Sequence, residues 1–229
     1  MQIRGYEDFC RALEAAGFSM AGANASGIYT VIPFDWNQDV GDSPLRWHTG
    51  DPDTDPWQWR MRVLNERDDV AYGKLFFGKG GYLMKNWYAP FICARRKGLS
   101  AEAAYADGIL SRGGLSIYRC LAENRRMSAH ALRSAAGFQK DGAGFTKGLV
   151  ELQMKMYIVT SGEAYRIGLD GLPMGWPSNE YVLGDDFFGG AVDEAMEMDI
   201  QGARALIERQ VLALNPDAQA NKIRKFIDG

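Results

Sequence analysis

The sequence is short of the residues that most often carry chemistry. It has three cysteines and two histidines in 229 residues. Cys10, Cys93 and Cys120 lie far apart without metal-ligand spacing, and three thiols cannot make a full disulfide framework, which fits a reducing compartment. With only His48 and His130, a multi-histidine metal centre is excluded. No apolar run approaches the ~18–20 residues of a membrane span. The opening Met1-Gln2-Ile3-Arg4-Gly5-Tyr6-Glu7 has no apolar signal core. The expectation is a cytoplasmic protein without membrane contact. Gly-x-Ser-x-Gly is absent, and so is a Gly-x-Gly-x-x-Gly fingerprint after a strand. Gly78-Lys79-Gly80-Gly81 is too short for a phosphate loop. Serine-hydrolase, kinase and hydride-transfer readings have no support, and no cofactor or metal is expected.

Charge is present but uneven. The net charge of −3 says little. Residues 56–100 carry nine Lys/Arg against three acids, and residues 111–168 carry nine against four. Residues 169–229 reverse the balance, with five basic against eleven acidic side chains. Two basic blocks and an acidic tail suit a polyanion-facing side, and a solvated mixed surface explains them equally well.

Periodicity predicts an α+β protein that is mostly helical. Phe9, Leu13 and Ala16 share one face of a helix over Tyr6–Ala16 that Gly17 ends. Residues 17–50 read as loop, with one strand around Ile28–Phe34. Asp55-Pro56-Trp57-Gln58 starts a helix, with Asp55 as its cap. Asp51, Asp53 and Asp55 also mimic the opening of an EF-hand loop, but Pro56 stands at the glycine position and Arg62 at the bidentate-glutamate position, so calcium is not expected. Val70–Leu83 reads as a hairpin turning at Gly78–Gly81, followed by helices over Asn86–Arg96 and Ser100–Leu110.

Residues 113–168 form the clearest unit. Helices are predicted over Leu115–Glu123, Ala129–Ala136 and Phe145–Met154. A hairpin follows, with strands Tyr157–Thr160 and Ala164–Gly168 about a turn at Ser161-Gly162-Glu163. Three helices and a hairpin is the order of a winged helix, whose third helix usually faces the major groove. The stretch 57–97 reads as a degenerate second unit. Ala191–Leu214 is helical by period, broken by Asn215-Pro216 before a last short helix. The organisation expected is residues 1–110 as a degenerate winged-helix-like unit, 111–182 as a winged-helix unit and 183–229 as a C-terminal helical tail, the whole forming one compact domain in the simplest case.

Four segments carry a family resemblance: Arg46-Trp47-His48-Thr49-Gly50, Asp55-Pro56-Trp57-Gln58-Trp59-Arg60, Ala71-Tyr72-Gly73-Lys74 and Leu152-Gln153-Met154-Lys155-Met156-Tyr157-Ile158-Val159. They resemble those of bacterial AlkZ-related proteins, relatives of winged-helix DNA glycosylases of the AlkZ/YcaQ-like superfamily. The resemblance covers roughly residues 5–227 and implies tandem winged-helix units gathered around a duplex. In the active glycosylases a Gln-hydrophobic-Gln or Gln-hydrophobic-Asp motif after the first helix serves the hydrolytic water. Here Ala16-Gly17-Phe18-Ser19-Met20-Ala21-Gly22 has neither Gln nor carboxylate. Gln139-Lys140-Asp141 has Lys at its centre and falls in the helix-turn-helix loop, so the role is not transferred to it.

The candidate residues follow from these readings. Arg133, Lys140, Lys147, Lys155 and Arg166 fall on the helix-turn-helix and wing, where such charges bind phosphate and set register. Trp47, Trp57, Trp59 and Tyr72 are candidates for an aromatic pocket that stacks a base, or else are core. Asp53, Asp55 and His48 are candidate catalytic groups, with Asp51 beside them, or else a cap, a turn and a structural histidine. The first reading is a double-stranded-DNA-binding protein of DNA-repair type, recognising damaged or distorted DNA without the usual glycosylase motif. The alternatives are an active DNA glycosylase using the His48/Asp51/Asp53/Asp55 region, and a winged-helix module that contacts a protein partner.

Overall fold

The computed structural model describes residues 2–22, 27–32, 43–139, 142–168 and 170–229. These residues hold eleven helices and six strands. The fold is α+β, about half helical, around one antiparallel sheet. Its first part runs α1 (Tyr6–Ala16), β1 (Phe18–Met20), α2 (Pro56–Glu66), β2 (Val70–Phe76), β3 (Lys79–Met84) and α3 (Lys85–Arg96). Its middle part runs α4 (Ala101–Ala106), α5 (Arg112–Asn124), β4 (Arg126–Ser128), α6 (Ala129–Ala135), α7 (Ala143–Met154), β5 (Ile158–Ile167) and β6 (Pro173–Leu183). Four helices close the chain: α8 (Gly184–Phe187), α9 (Ala191–Glu197), α10 (Ile200–Leu214) and α11 (Ala220–Asp228).

The sheet order is β1-β3-β2-β5-β6-β4. The hairpins β2–β3 and β5–β6 are its two halves, and the register pair Tyr72↔Thr160 joins them. The first hairpin turns more tightly than its glycines suggest. Phe76 pairs with Lys79, and only Phe77 and Gly78 lie between, both at positive φ (53° and 69°), the geometry a two-residue turn requires. Gly80 and Gly81 belong to β3.

The second hairpin is longer than expected. β5 runs straight through Ser161-Gly162-Glu163, and the chain reverses beyond Ile167, where the Gly168 N–H donates to the Leu172 carbonyl at 2.8 Å. A register shift between Thr160 and Gly162 absorbs the extra residue as a bulge, so the glycine bends the strand instead of ending it. β4, between α5 and α6, pairs with β6 through Met127↔Tyr181. β1 was not foreseen; Phe18–Met20 is a wholly buried edge strand set against β3 immediately after Gly17. The strand expected over Ile28–Phe34 does not form over residues 28–32, where Tyr29 and Val31 instead bond to Met20 and Ser19; residues 33 and 34 lie outside the described residues.

Three clusters of buried side chains make the core. One lies among α1, α2, β2 and β3, with Phe9, Trp59 and Tyr82 at its centre. A second lies among α5, α6, α7 and the start of β5, around Ile117, Leu132, Phe145 and Leu152. The third brings the closing helices onto β2 and α3 through Ile207, Val211, Ile223 and Phe226. Residues 191–214, helical by period, form two helices, because Asp199 caps a new helix with its carboxylate accepting the Gly202 N–H at 2.6 Å. Helices α5 and α7 approach closely at Gly148, where a Cβ would stand 2.9 Å from Ile117 Cδ1 and 3.1 Å from the Gly114 nitrogen. Among the described residues, no helix is long and apolar enough to cross a membrane.

Candidate functional site

The β5–β6 hairpin carries an unusual surface. Tyr165, Ile167, Leu172, Met174 and Trp176 are all exposed, and Trp176 keeps 94% of its surface in solvent. A tryptophan left so open is a contact residue or a cost, because burying its ring is one of the larger apolar gains available to a side chain. Between this hairpin and α6 lies an open cleft of about 420 Å³ lined by His130, Arg133, Arg166, Met174, Trp176 and Ser178. Two of the basic residues singled out by sequence, Arg133 and Arg166, therefore come together, 33 positions apart in the chain, across the same cleft.

His130 is fixed at the cleft's inner side. Its Nδ1 lies 2.7 Å from Ser178 Oγ and its Nε2 3.1 Å from Ser128 Oγ, so β6 and the start of α6 hold the ring from both edges. Burial, and then the nearby Arg166 cation, push its pKa below the usual histidine value. Arg133 lies with its guanidinium carbon 5.1 Å from the Phe145 ring centroid, an aromatic backing that orients the group. Lys147 is exposed on α7 and does not line the cleft. Lys140 lies outside the described residues.

Two charged residues of α7 and its end are drawn elsewhere. Glu151 turns inward, accepting the Ser111 hydroxyl at 2.5 Å and the Ser111 N–H at 3.1 Å, and so does not oppose an anion on the outer face. Lys155 is half-buried, and its Nζ donates to the carbonyls of Asp228 and Gly229 at 2.8 and 3.3 Å. Its ammonium ties the end of α7 to the closing helix α11.

The aspartate loop is tied into the fold by its backbone contacts. Asp55 is fully buried, and its carboxylate accepts the backbone N–H groups of His48 (3.0 Å), Gly50 (2.9 Å) and Trp57 (2.9 Å). Asp53 is exposed and pairs with Arg62 at 2.7 Å, while its carbonyl accepts the Tyr6 N–H and anchors α1. Asp51 is held below the usual carboxylate range by the Asp53 N–H and the Thr54 hydroxyl.

Of the aromatic candidates, Trp59 and Tyr72 belong to the core. Trp59 stacks on Phe9 at 5.1 Å and donates to the Pro52 carbonyl, and Tyr72 packs on Tyr82 at 5.1 Å. Trp47 is partly buried against the same cluster. Trp57 is exposed, with the Arg60 guanidinium 3.4 Å over its ring and the His48 ring 4.8 Å away. Among the described residues no group of three or more His, Cys, Asp or Glu could hold a metal ion.

The family model described as AlkZ related matches residues 3–228. The chain belongs to the AlkZ-related family. No curated protein and no solved structure matches it. Membership ties this AlkZ-related protein to a function connected with DNA repair. In it, the stretch after α1 that would hold the glycosylase motif is β1, whose buried Ser19 hydroxyl donates to the Met20 carbonyl and accepts the Val31 N–H. Gln139 is exposed after α6, and Lys140 and Asp141 lie outside the described residues. Sequence reading missed Met174, Trp176 and Ser178. The available signal is Pro173-Met174-Gly175-Trp176-Pro177, an apolar run in an otherwise acidic segment, which a return strand over Ala164–Gly168 leaves outside the hairpin.

Proposed function

We propose that this AlkZ-related protein binds double-stranded DNA along the edge formed by α6 and the β5–β6 hairpin. The observation that carries the reading is the convergence of Arg133, Arg166 and His130 with the solvent-exposed Trp176 on one open cleft. Arginines supply phosphate contacts that are strong and indifferent to sequence. An exposed apolar hairpin tip supplies side chains that gain most where bases are already unstacked, which favours damaged or distorted DNA over an intact duplex.

In this reading residues 111–182 are a winged helix. Support comes from the order α5, β4, α6, α7, β5, β6 and from β4 pairing with β6, which makes a three-stranded wing of the hairpin. Residues 1–110 are then the degenerate second unit and residues 183–229 the helical tail, in keeping with the separate core clusters and with the single sheet that joins them.

Fluorescence anisotropy with a plain duplex, an abasic-site duplex and a single strand, each at two salt concentrations, tests the proposal. Salt-sensitive binding that favours the abasic duplex is the expected result. Absence of binding at low salt removes the DNA reading and turns the hairpin's apolar tip toward a protein partner.

A further inference from the structure

A second concentration of positive charge lies at the other end of β5. Tyr157, just before that strand, and Arg166, in the cleft, are nine residues apart, or about 30 Å at ~3.3 Å per residue. Beside Tyr157 is a cavity of about 260 Å³ between the ends of α3 and α7 and the turn after α4. Arg95, Arg96, Lys97 and Lys155 line it, with Asp228 as the acid among its lining residues.

The charge of these cations is poorly matched. Asp228 is engaged by Arg204. Arg95 is fully buried and gives its N–H groups to four carbonyls: Leu75 and Met154 from Nη1, Phe226 from Nη2 and Ile227 from Nε. These are dipoles, three at the ends of α7 and α11 and one on β2, not full counter-charges. One of its five N–H donors is left over. Burial lowers its pKa to about 9, and burial together with the neighbouring Arg95 lowers that of Lys155. Arg96 pairs with Asp185 and donates to the Met156 carbonyl, yet its buried Nε has no acceptor.

We propose that this cavity is an anion site for a small phosphate-type group, separate from the cleft on the hairpin. The volume falls below the ~300–1,000 Å³ of sites for drug-sized ligands, so the occupant is small. A tetrahedral anion offers oxygens in several directions at once, which suits the cationic side chains of Arg95, Lys97 and Lys155 that line the cavity from different backbone positions. The site does not depend on the DNA reading. Its phosphate is either a free ion or the terminal phosphate of a nucleic-acid strand.

The test titrates the whole protein with sodium phosphate by calorimetry and thermal denaturation, against sodium chloride at equal ionic strength. Saturable heat and a rise in Tm beyond that in chloride are expected. Lys97→Glu should weaken phosphate binding by at least about ten-fold, since it reverses one unit charge within a few ångströms of the anion. Lys97→Asn, which the left-handed backbone at this position tolerates, is the milder variant if the first does not fold. Arg209→Glu, exposed on α10 and outside the linings of both the cavity and the hairpin cleft, should leave phosphate binding unchanged. A short strand with a 5′-phosphate, compared with its 5′-hydroxyl twin, separates the two sources; preference for the phosphorylated strand, lost in the Lys97 variants, assigns the site to strand ends. A response no larger than chloride's with no preference between the strands overturns the proposal, as does any phosphate response that the Lys97 variants leave intact.

Discussion

The Gln153 side-chain oxygen accepts the Lys74 backbone N–H at 2.8 Å, although the two residues stand 79 positions apart. Its Nε2 donates to the Leu149 carbonyl at 3.0 Å, so a buried amide inside α7 completes the ladder of β2. This bond links the two halves of the molecule beside the register pair Tyr72↔Thr160. Replacing Gln153 with Leu leaves the Lys74 N–H without its acceptor, a loss of about 1–3 kcal/mol for a buried group. Urea unfolding should show a lower midpoint with an unchanged slope.

Asp55 should matter to stability and not to chemistry. Asp55→Ala removes a helix cap, about 0.5–2 kcal/mol, and strands two further N–H groups of the His48–Gly50 loop. Asp53→Asn loosens only an exposed pair with Arg62, about 0.2–1 kcal/mol. Thermal denaturation orders the two, and DNA affinity measured well below Tm should match wild type in both.

The cleft residues should show the opposite pattern. Arg166→Glu is expected to weaken duplex binding and to reduce the slope of log affinity against log salt by about one, the signature of a lost phosphate contact. Trp176→Ala should leave that slope alone and erase the preference for an abasic duplex. Equal losses on intact and abasic duplexes would argue against a role for the exposed ring in sensing distortion.

His130 gives the fold a pH dependence of known sign. Its folded pKa lies below the ordinary value of 6.5, so the unfolded chain binds the proton more readily. Its neutral, Ser128- and Ser178-bonded form favours folding in full above about pH 6.5, and that contribution is lost as pH falls toward the folded pKa. Urea midpoints at pH 7.5 and 5.5 should differ less in His130→Asn than in wild type.

Local signals in the chain went a long way. The helix starts at Asp55-Pro56 and Ser100, the stop at Gly17 and the hairpin about Gly78 follow from cap and turn chemistry that acts within a few residues. The order of three helices and a hairpin was legible, as was the grouping of Arg133 and Arg166 on one unit. The aspartate loop shows the limit: three acids beside aromatics read as an active site or as a cap and a turn, and the three backbone N–H groups that the Asp55 carboxylate accepts are visible only in the fold.

The amino-acid sequence by itself determined the helix stop at Gly17, the starts at Asp55-Pro56 and Ser100, which faces are apolar and that the family is AlkZ-related. Tertiary structure decided the rest. It carried β5 through Ser161-Gly162-Glu163, because pairing with β6 outweighs a local preference to turn. It took Trp59 and Tyr72 into the core while leaving Trp176 in water, a choice set by which faces of the sheet other elements cover. It drew Lys155 to the carbonyls of Asp228 and Gly229, more than seventy residues away. Burial and charge pairing are properties of neighbours in space, and the linear pattern of residues does not encode who those neighbours are.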